Sequence, residues 1–168
     1  MLERVARWGE QAMQARLDEQ GVIKANAQFW EQMLAMKLEA LPCAEEPRLG
    51  SAHLLGSVTL SGAWTGLIEV RLGSGLAFHA TAAMIMQTLE SVVEADALDA
   101  TREIANMIAG TIKSSLPRPC SMSVPESAVE REDFRIPSPS GDALLVSFRH
   151  ASGDLMVRIF EQECASAA

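Results

Sequence analysis

Asp99-Ala-Thr-Arg-Glu-Ile-Ala-Asn-Met-Ile-Ala-Gly-Thr-Ile-Lys113 is the stretch on which the fold turns. Wound at about 100° per residue, it places Ala100, Ile104, Ala105, Met107, Ile108 and Ile112 on one continuous apolar side that must face a core. The remaining arc carries Asp99, Arg102, Glu103, Asn106, Gly110 and Lys113. Asn and Gly are weak helix formers, Gly by about 1 kcal/mol relative to Ala, so a purely solvated face would more cheaply carry Glu, Lys, Gln or Ala. Standing one turn apart, they leave a bare patch of backbone beside the Asn106 amide, while Glu103 and the flanking charges can hold an approaching surface in register. The face reads as a docking surface on which Asp99, Arg102, Gly110 and Lys113 meet a partner. Against this stands a plainer reading, in which Asn106 is solvated and Gly110 lets the helix lie close to a strand or a second helix. A four-residue Glu-x-x-Asn pattern is short enough to recur by accident.

Upstream of this helix, residues 2–19 read as an amphipathic helix with Leu2, Val5, Met13 and Leu17 among its apolar positions, ended by Gly21. A second helix is expected from about Ala25 to Leu41, with Phe29, Met33, Met36 and Ala40 as its stripe, supported by Trp30, Leu34 and Leu41, and Pro42 closing it. The nine methionines serve as core filler at helical spacing. Beyond Glu45-Glu46-Pro47-Arg48, Leu54, Val58 and Leu60 alternate with Leu55, Ser57 and Thr59. Ser61-Gly62-Ala63 then turns the chain into Trp64, Gly66, Ile68, Val70 and Leu72, alternating with Thr65, Leu67, Glu69 and Arg71. This is a hairpin. Ser74 offers an N-cap for a helix through about Glu90, and residues 92–97 link it to the central helix. After Lys113, Leu116-Pro-Arg-Pro119 stops helical structure and short strands follow around Met122, Val129 and Phe134. A last hairpin joins Ala143–His150 to Leu155–Glu161 through an Ala-Ser-Gly-Asp turn. Hairpins, then helices, then hairpin imply an α+β domain: a mostly antiparallel sheet of about six strands with helices packed on one face. Two hairpins of similar length flank two adjacent helices, a loose internal echo in which only the second helix carries Glu-x-x-Asn.

The 168 residues suit one well-packed domain. Asp and Glu outnumber Lys and Arg by 22 to 14, for a net charge of -8, and no basic run or aromatic-basic stripe offers itself to a phosphate backbone, so no nucleic-acid partner is expected. The apolar runs stop well short of the ~18 residues a membrane span needs, and the N-terminus lacks a signal-type apolar stretch, which points to a cytoplasmic protein with no membrane partner. Cys43, Cys120 and Cys164 fit neither a disulfide framework nor a zinc site. His53, His79 and His150 lack metal-ligand spacing and a neighbouring nucleophile, and are read as structural.

From about Val22 to Glu161 the chain resembles the CheC/CheX family of chemotaxis phosphatases. The resemblance rests on the order of parts: a leading helix, the Leu60-Ser-Gly-Ala-Trp-Thr-Gly66 hairpin, Glu103-Ile-Ala-Asn-Met-Ile-Ala-Gly110 with Lys113, and the closing hairpin after Pro139-Ser-Gly141. It divides the chain into an N-terminal helical extension, 1–21, and a CheX-like domain, 22–163. A single Glu-x-x-Asn helix looks more like CheX than CheC, and CheX-like proteins are typically dimers. Thr111 departs from the Asn that relatives often carry after the Gly. The resemblance implies that the chain removes phosphate from the aspartyl-phosphate of a CheY-type receiver domain. Asn106 would enter the receiver's active site and hold the attacking water, and Glu103 would pair with a receiver Lys. Such chemistry needs an in-line water and charge neutralisation more than covalent help from the protein. It also implies no cofactor of the chain's own, since magnesium would sit in the receiver. Two other classes stay open: a non-enzymatic receiver-binding adaptor, and a structural part of a signalling array or motor.

Overall fold

In the computed structural model, which describes residues 17–162, the alternating segments pair into one antiparallel sheet. Its strands are β1 (Glu39–Ala40), β2 (Ala52–Gly62), β3 (Gly66–Gly73), β4 (Cys120–Met122), β5 (Glu126–Arg131), β6 (Ala143–His150) and β7 (Gly153–Glu161). The spatial order is β1-β6-β7-β3-β2, and β4 and β5 share the outer edge of β2, β4 against its Leu60–Gly62 end and β5 against Ala52–Ser57. Three α-helices complete the described chain: α1 (Glu19–Leu34), α2 (Ser74–Ile85) and α3 (Glu94–Lys113).

The period-2 pattern decides which face each strand buries. Leu54, Val58 and Leu60 of β2, Ile68, Val70 and Leu72 of β3, and Leu155, Val157 and Ile159 of β7 share one core with Trp30, Leu76, Ala80, Ile104 and Ile108 of the helices. All three helices therefore lie on the same face of the sheet, as expected. Contact between α3 and β2 is very close because β2 carries Gly56, where a Cβ would stand 2.7 Å from Ala105 Cβ and 2.9 Å from the Thr101 carbonyl oxygen.

The sheet has seven strands rather than about six, and the extra one is β1, in residues assigned from the sequence to a helix. That helix, α1, is displaced towards the N-terminus. Asp18 caps it, its carboxylate accepting the Gln20 and Gly21 N–H groups at 3.2 Å each, so Gly21 sits in a first turn instead of ending a preceding helix. The helix 2–19 expected there falls almost wholly outside the described residues. At its other end α1 stops at Leu34, where Ala35 turns left-handed (φ 52°) and Met36 N–H reaches back to the Trp30 carbonyl at 3.0 Å. The buried stripe is Val22, Asn26, Trp30 and Leu34, one position off the expected one, and Met33 is exposed. In the same way α2 ends at Ile85, before Glu90, because Met86 adopts φ 55°. Phe134 forms only an isolated bridge to Arg131 and no strand of its own.

Among the described residues no helix lies on the opposite face of the sheet. The segment between β5 and β6 is tied across it by Ile136 N–H to Glu130 Oε1 (2.7 Å), Ser138 Oγ to Glu69 Oε2 (2.8 Å) and Arg71 Nη2 to Ser138 Oγ (3.3 Å).

Candidate functional site

Helix α3 starts five residues before the stretch read from the sequence, with Asp96 accepting the Val93 N–H at 3.2 Å. Its inner side buries Ala97, Ala100, Thr101, Ile104, Ala105, Ile108, Ala109 and Ile112, while Met107 is half-buried at the margin. Turned outward are Asp99 and Glu103, both exposed, and Arg102, Asn106, Gly110 and Lys113, all partly exposed. The structure thus brings all six site residues named from the sequence onto one face.

The two readings of Gly110 can be separated. A Cβ built there meets nothing within 4 Å among the described residues, so this glycine does not serve packing against the core they form. Gly56, from the strand side, is the one that brings helix and sheet together. Gly110 instead lies between two shallow grooves. One runs towards α1 past Phe29, Met33 and Met107, and the other runs towards β4 past Lys113, Arg118 and Met122. The residue after it, Thr111, returns its hydroxyl to the Met107 carbonyl at 3.0 Å and so offers less to a partner than a free amide would.

Charges on the face are divided. Arg102 and Asp99 pair with each other one turn apart, whereas Glu103 and Lys113 enter no ion pair among the described residues. The Asn106 amide makes no hydrogen bond among the described residues. An amide can donate one hydrogen bond and accept another, and cannot titrate, so its chemistry is that of placing a molecule such as water. Among the described residues no three His, Cys, Asp or Glu side chains gather as they would around a metal ion, and no helix is long and apolar enough to cross a membrane.

All three histidines are hydrogen-bonded: His79 Nδ1 with the Gly75 carbonyl at 2.8 Å, His150 Nδ1 with Ser152 Oγ at 2.7 Å, and His53 Nε2 with Glu130 Oε2 at 2.9 Å. The last belongs to a network the sequence reading missed. Glu69 and Arg71, read as the polar side of a hairpin, are buried with His53 and Glu130 on the helix-free face. Arg71 donates from Nε to Glu130 Oε2 (2.7 Å) and from Nη1 to Glu69 Oε2 (2.6 Å). Burial would raise the Glu130 carboxyl, but the Arg71 bond, the Ile136 N–H and the Arg71 charge outweigh it and hold the group below the ordinary carboxylate value. Burial drives His53 the other way from its bond to Glu130, and wins: its pKa is lowered. A signal was available only in the pairing, since register sets His53 opposite Glu130 across β2 and β5 and Leu55 opposite Arg71 across β2 and β3.

A seven-stranded antiparallel sheet under three helices, with Glu-x-x-Asn on the outer face of the last helix, defines a protein of the CheC/CheX fold class. Three solved structures share it. The CheC-like protein of a Shewanella species superimposes with a TM-score of 0.69 at 17% identity, over 85% of this chain and 96% of that one. Chemotaxis protein CheX of Vibrio vulnificus gives 0.67 at 16%, over 85% and 95%. The CheX of the CheX-CheY-BeF3-Mg2+ complex from Borrelia burgdorferi gives 0.67 at 19%, over 88% and 100%. Nothing matches the sequence among curated proteins. Residues 54–148, more than half of the chain, match the family model of the chemotaxis phosphatase CheX, and the chain belongs to that family.

Proposed function

We propose that this chain is a cytoplasmic phosphatase that dephosphorylates the aspartyl-phosphate of a CheY-type receiver domain. The observation that carries the reading is the open flank of α3, where Asn106 and Glu103 stand outward beside a glycine whose Cβ position is empty to 4 Å. Asn106 takes the water that attacks phosphorus in line, its amide oxygen accepting a hydrogen bond from the water and so fixing the water's lone pair towards the phosphoryl group. Glu103, without an ion-pair partner among the described residues, meets a receiver Lys and sets the register. The charge on the transferring group is neutralised by the receiver's own magnesium. The Borrelia relative, solved as CheX with CheY, BeF3 and Mg2+, supports a receiver as the partner.

The working unit is a symmetric homodimer. The sheet ends at β1 on one side and at β4 and β5 on the other, and an edge of that kind is stabilised by pairing with a second copy.

The test is the lifetime of the phosphoryl group on candidate receivers. Substoichiometric amounts of the chain should shorten it for a cognate receiver. A chain that binds the BeF3-activated receiver and never shortens that lifetime is an adaptor, and the phosphatase reading falls.

A further inference from the structure

The groove between the C-terminal end of α3 and β4 is lined by Gly110, Lys113, Arg118, Pro119, Cys120 and Met122 and encloses about 740 Å³. Its floor is apolar. Its rim carries two cations, Lys113 partly buried and Arg118 exposed, and neither has a carboxylate partner among the described residues. The chain as a whole bears a net charge of -8, so two positive charges lining one groove form a local reversal of its field. Gly110 lines this groove and also flanks Asn106, which makes the groove continuous with the candidate site. At ~1.5 Å of rise per residue, Lys113 lies ~15 Å along α3 from Glu103, the other unpaired charge of the face. The face is therefore bipolar, negative at the Glu103 end and positive at the groove.

We infer that this groove is the second contact of the docking surface and takes an acidic segment of the phosphorylated receiver that carries an apolar side chain. The proposal rests on the receiver reading given above and adds the orientation of the partner to it. One unpaired carboxylate could accept a receiver Lys from several directions. With a cationic rim ~15 Å away, only one of two opposed orientations of an acidic partner satisfies both ends, and like-charge juxtaposition penalises the reverse. The apolar floor of Met122 and Cys120 receives the side chain that the acidic segment brings with it. Lys113 and Arg118 act on encounter and affinity, and Asn106 on the chemical step.

Kinetics of dephosphorylation separate these roles. Arg118→Glu and the double variant Lys113→Glu/Arg118→Glu are compared with the unmodified chain on whichever receiver it dephosphorylates fastest, at low and at high salt. Binding to the same receiver loaded with BeF3 is measured alongside. The single reversal should raise KM on the order of tenfold at low salt and the double further, with a much smaller change in kcat and a gap that narrows as salt rises. Arg118→Gln, which removes charge without reversing it, should fall in between. An unmodified chain that is active, with KM of all three variants within twofold at both salts, overturns the groove and leaves the phosphatase reading intact. Loss of kcat in place of KM also overturns it. A chain that neither binds nor dephosphorylates any receiver brings down the underlying reading, and the groove with it.

Discussion

Replacing Gly110 by Leu separates docking from folding in a way few substitutions can. A Cβ at this position has no heavy atom of the described residues within 4 Å, so the new side chain meets no clash with the core they form. Leu propagates a helix better than Gly by close to 1 kcal/mol, and a gain of that size corresponds to a rise in Tm of ~2–4 °C for a domain of this length. Helical side chains lean towards the N-terminus, which carries the new isobutyl group over the turn holding Asn106. There it would hold a partner's surface away from the amide. The expected outcome is a protein at least as stable as the original, with receiver dephosphorylation reduced by more than tenfold. Calorimetry and a phosphoryl-lifetime assay on the same preparation check both halves. Gly56→Ala supplies the contrast, because its Cβ would stand 2.7 Å from Ala105 Cβ, and overpacking of that kind costs ~1–3 kcal/mol. A Gly110→Leu protein that melts several degrees lower, or that works at full rate, refutes the reasoning.

Three further expectations concern the rest of the molecule. Glu130→Ala takes the carboxylate partner from His53 and the Ile136 N–H and leaves Arg71 held by Glu69, and a buried donor left unsatisfied costs ~1–3 kcal/mol, readable as a fall in the urea midpoint. Stability should also decline with acid. The unfolded chain protonates its His near 6.5 while burial keeps His53 neutral in the folded state to lower pH, so the unfolded state binds more protons as pH falls through and below 6.5. Glu130, held below 4.5, contributes stability above that value and loses it as pH falls through its folded pKa, which steepens the decline. Urea midpoints between pH 8 and pH 4 test this, and a flat profile contradicts it. Light scattering should give twice the 18.1 kDa chain mass at micromolar concentration, and a monomer unchanged on dilution counts against the dimer.

What could be read from the sequence follows the strength of the periodic signals. The hairpin of β2 and β3 has apolar residues at every second position, and the paired strands bury that set. Central helix α3 was legible for the same reason, since Ile104, Ile108 and Ile112 recur at helical spacing. Less legible was α1. Trp30 and Phe29 are adjacent and equally apolar, so the stripe could be drawn through either, and Ala35 gives no compositional hint that it will turn left-handed. Chain ends of elements set by one unusual φ, as at Met86, escape any reading by propensity. The buried network escaped because it is a property of pairing: Glu69 and Arg71 alternate with Ile68 and Val70 as a solvated face would, and only the segment crossing that face removes them from water. Of the site, the sequence supplied the six α3 residues from Asp99 to Lys113 that share its outer face. It did not supply Arg118 and Met122, which join them only because β4 folds back along β2.

The most direct test of the central claim is to compare Asn106→Ala and Glu103→Ala in one experiment, timing loss of phosphate from a cognate receiver and measuring affinity for its BeF3-loaded form. An amide that positions water acts on the chemical step alone, so Asn106→Ala should abolish most of the acceleration while affinity stays within a few-fold. A carboxylate that pairs with a receiver Lys acts on the complex, so Glu103→Ala should lower affinity by ~1 kcal/mol or more and the rate along with it. Full turnover by Asn106→Ala would contradict the account.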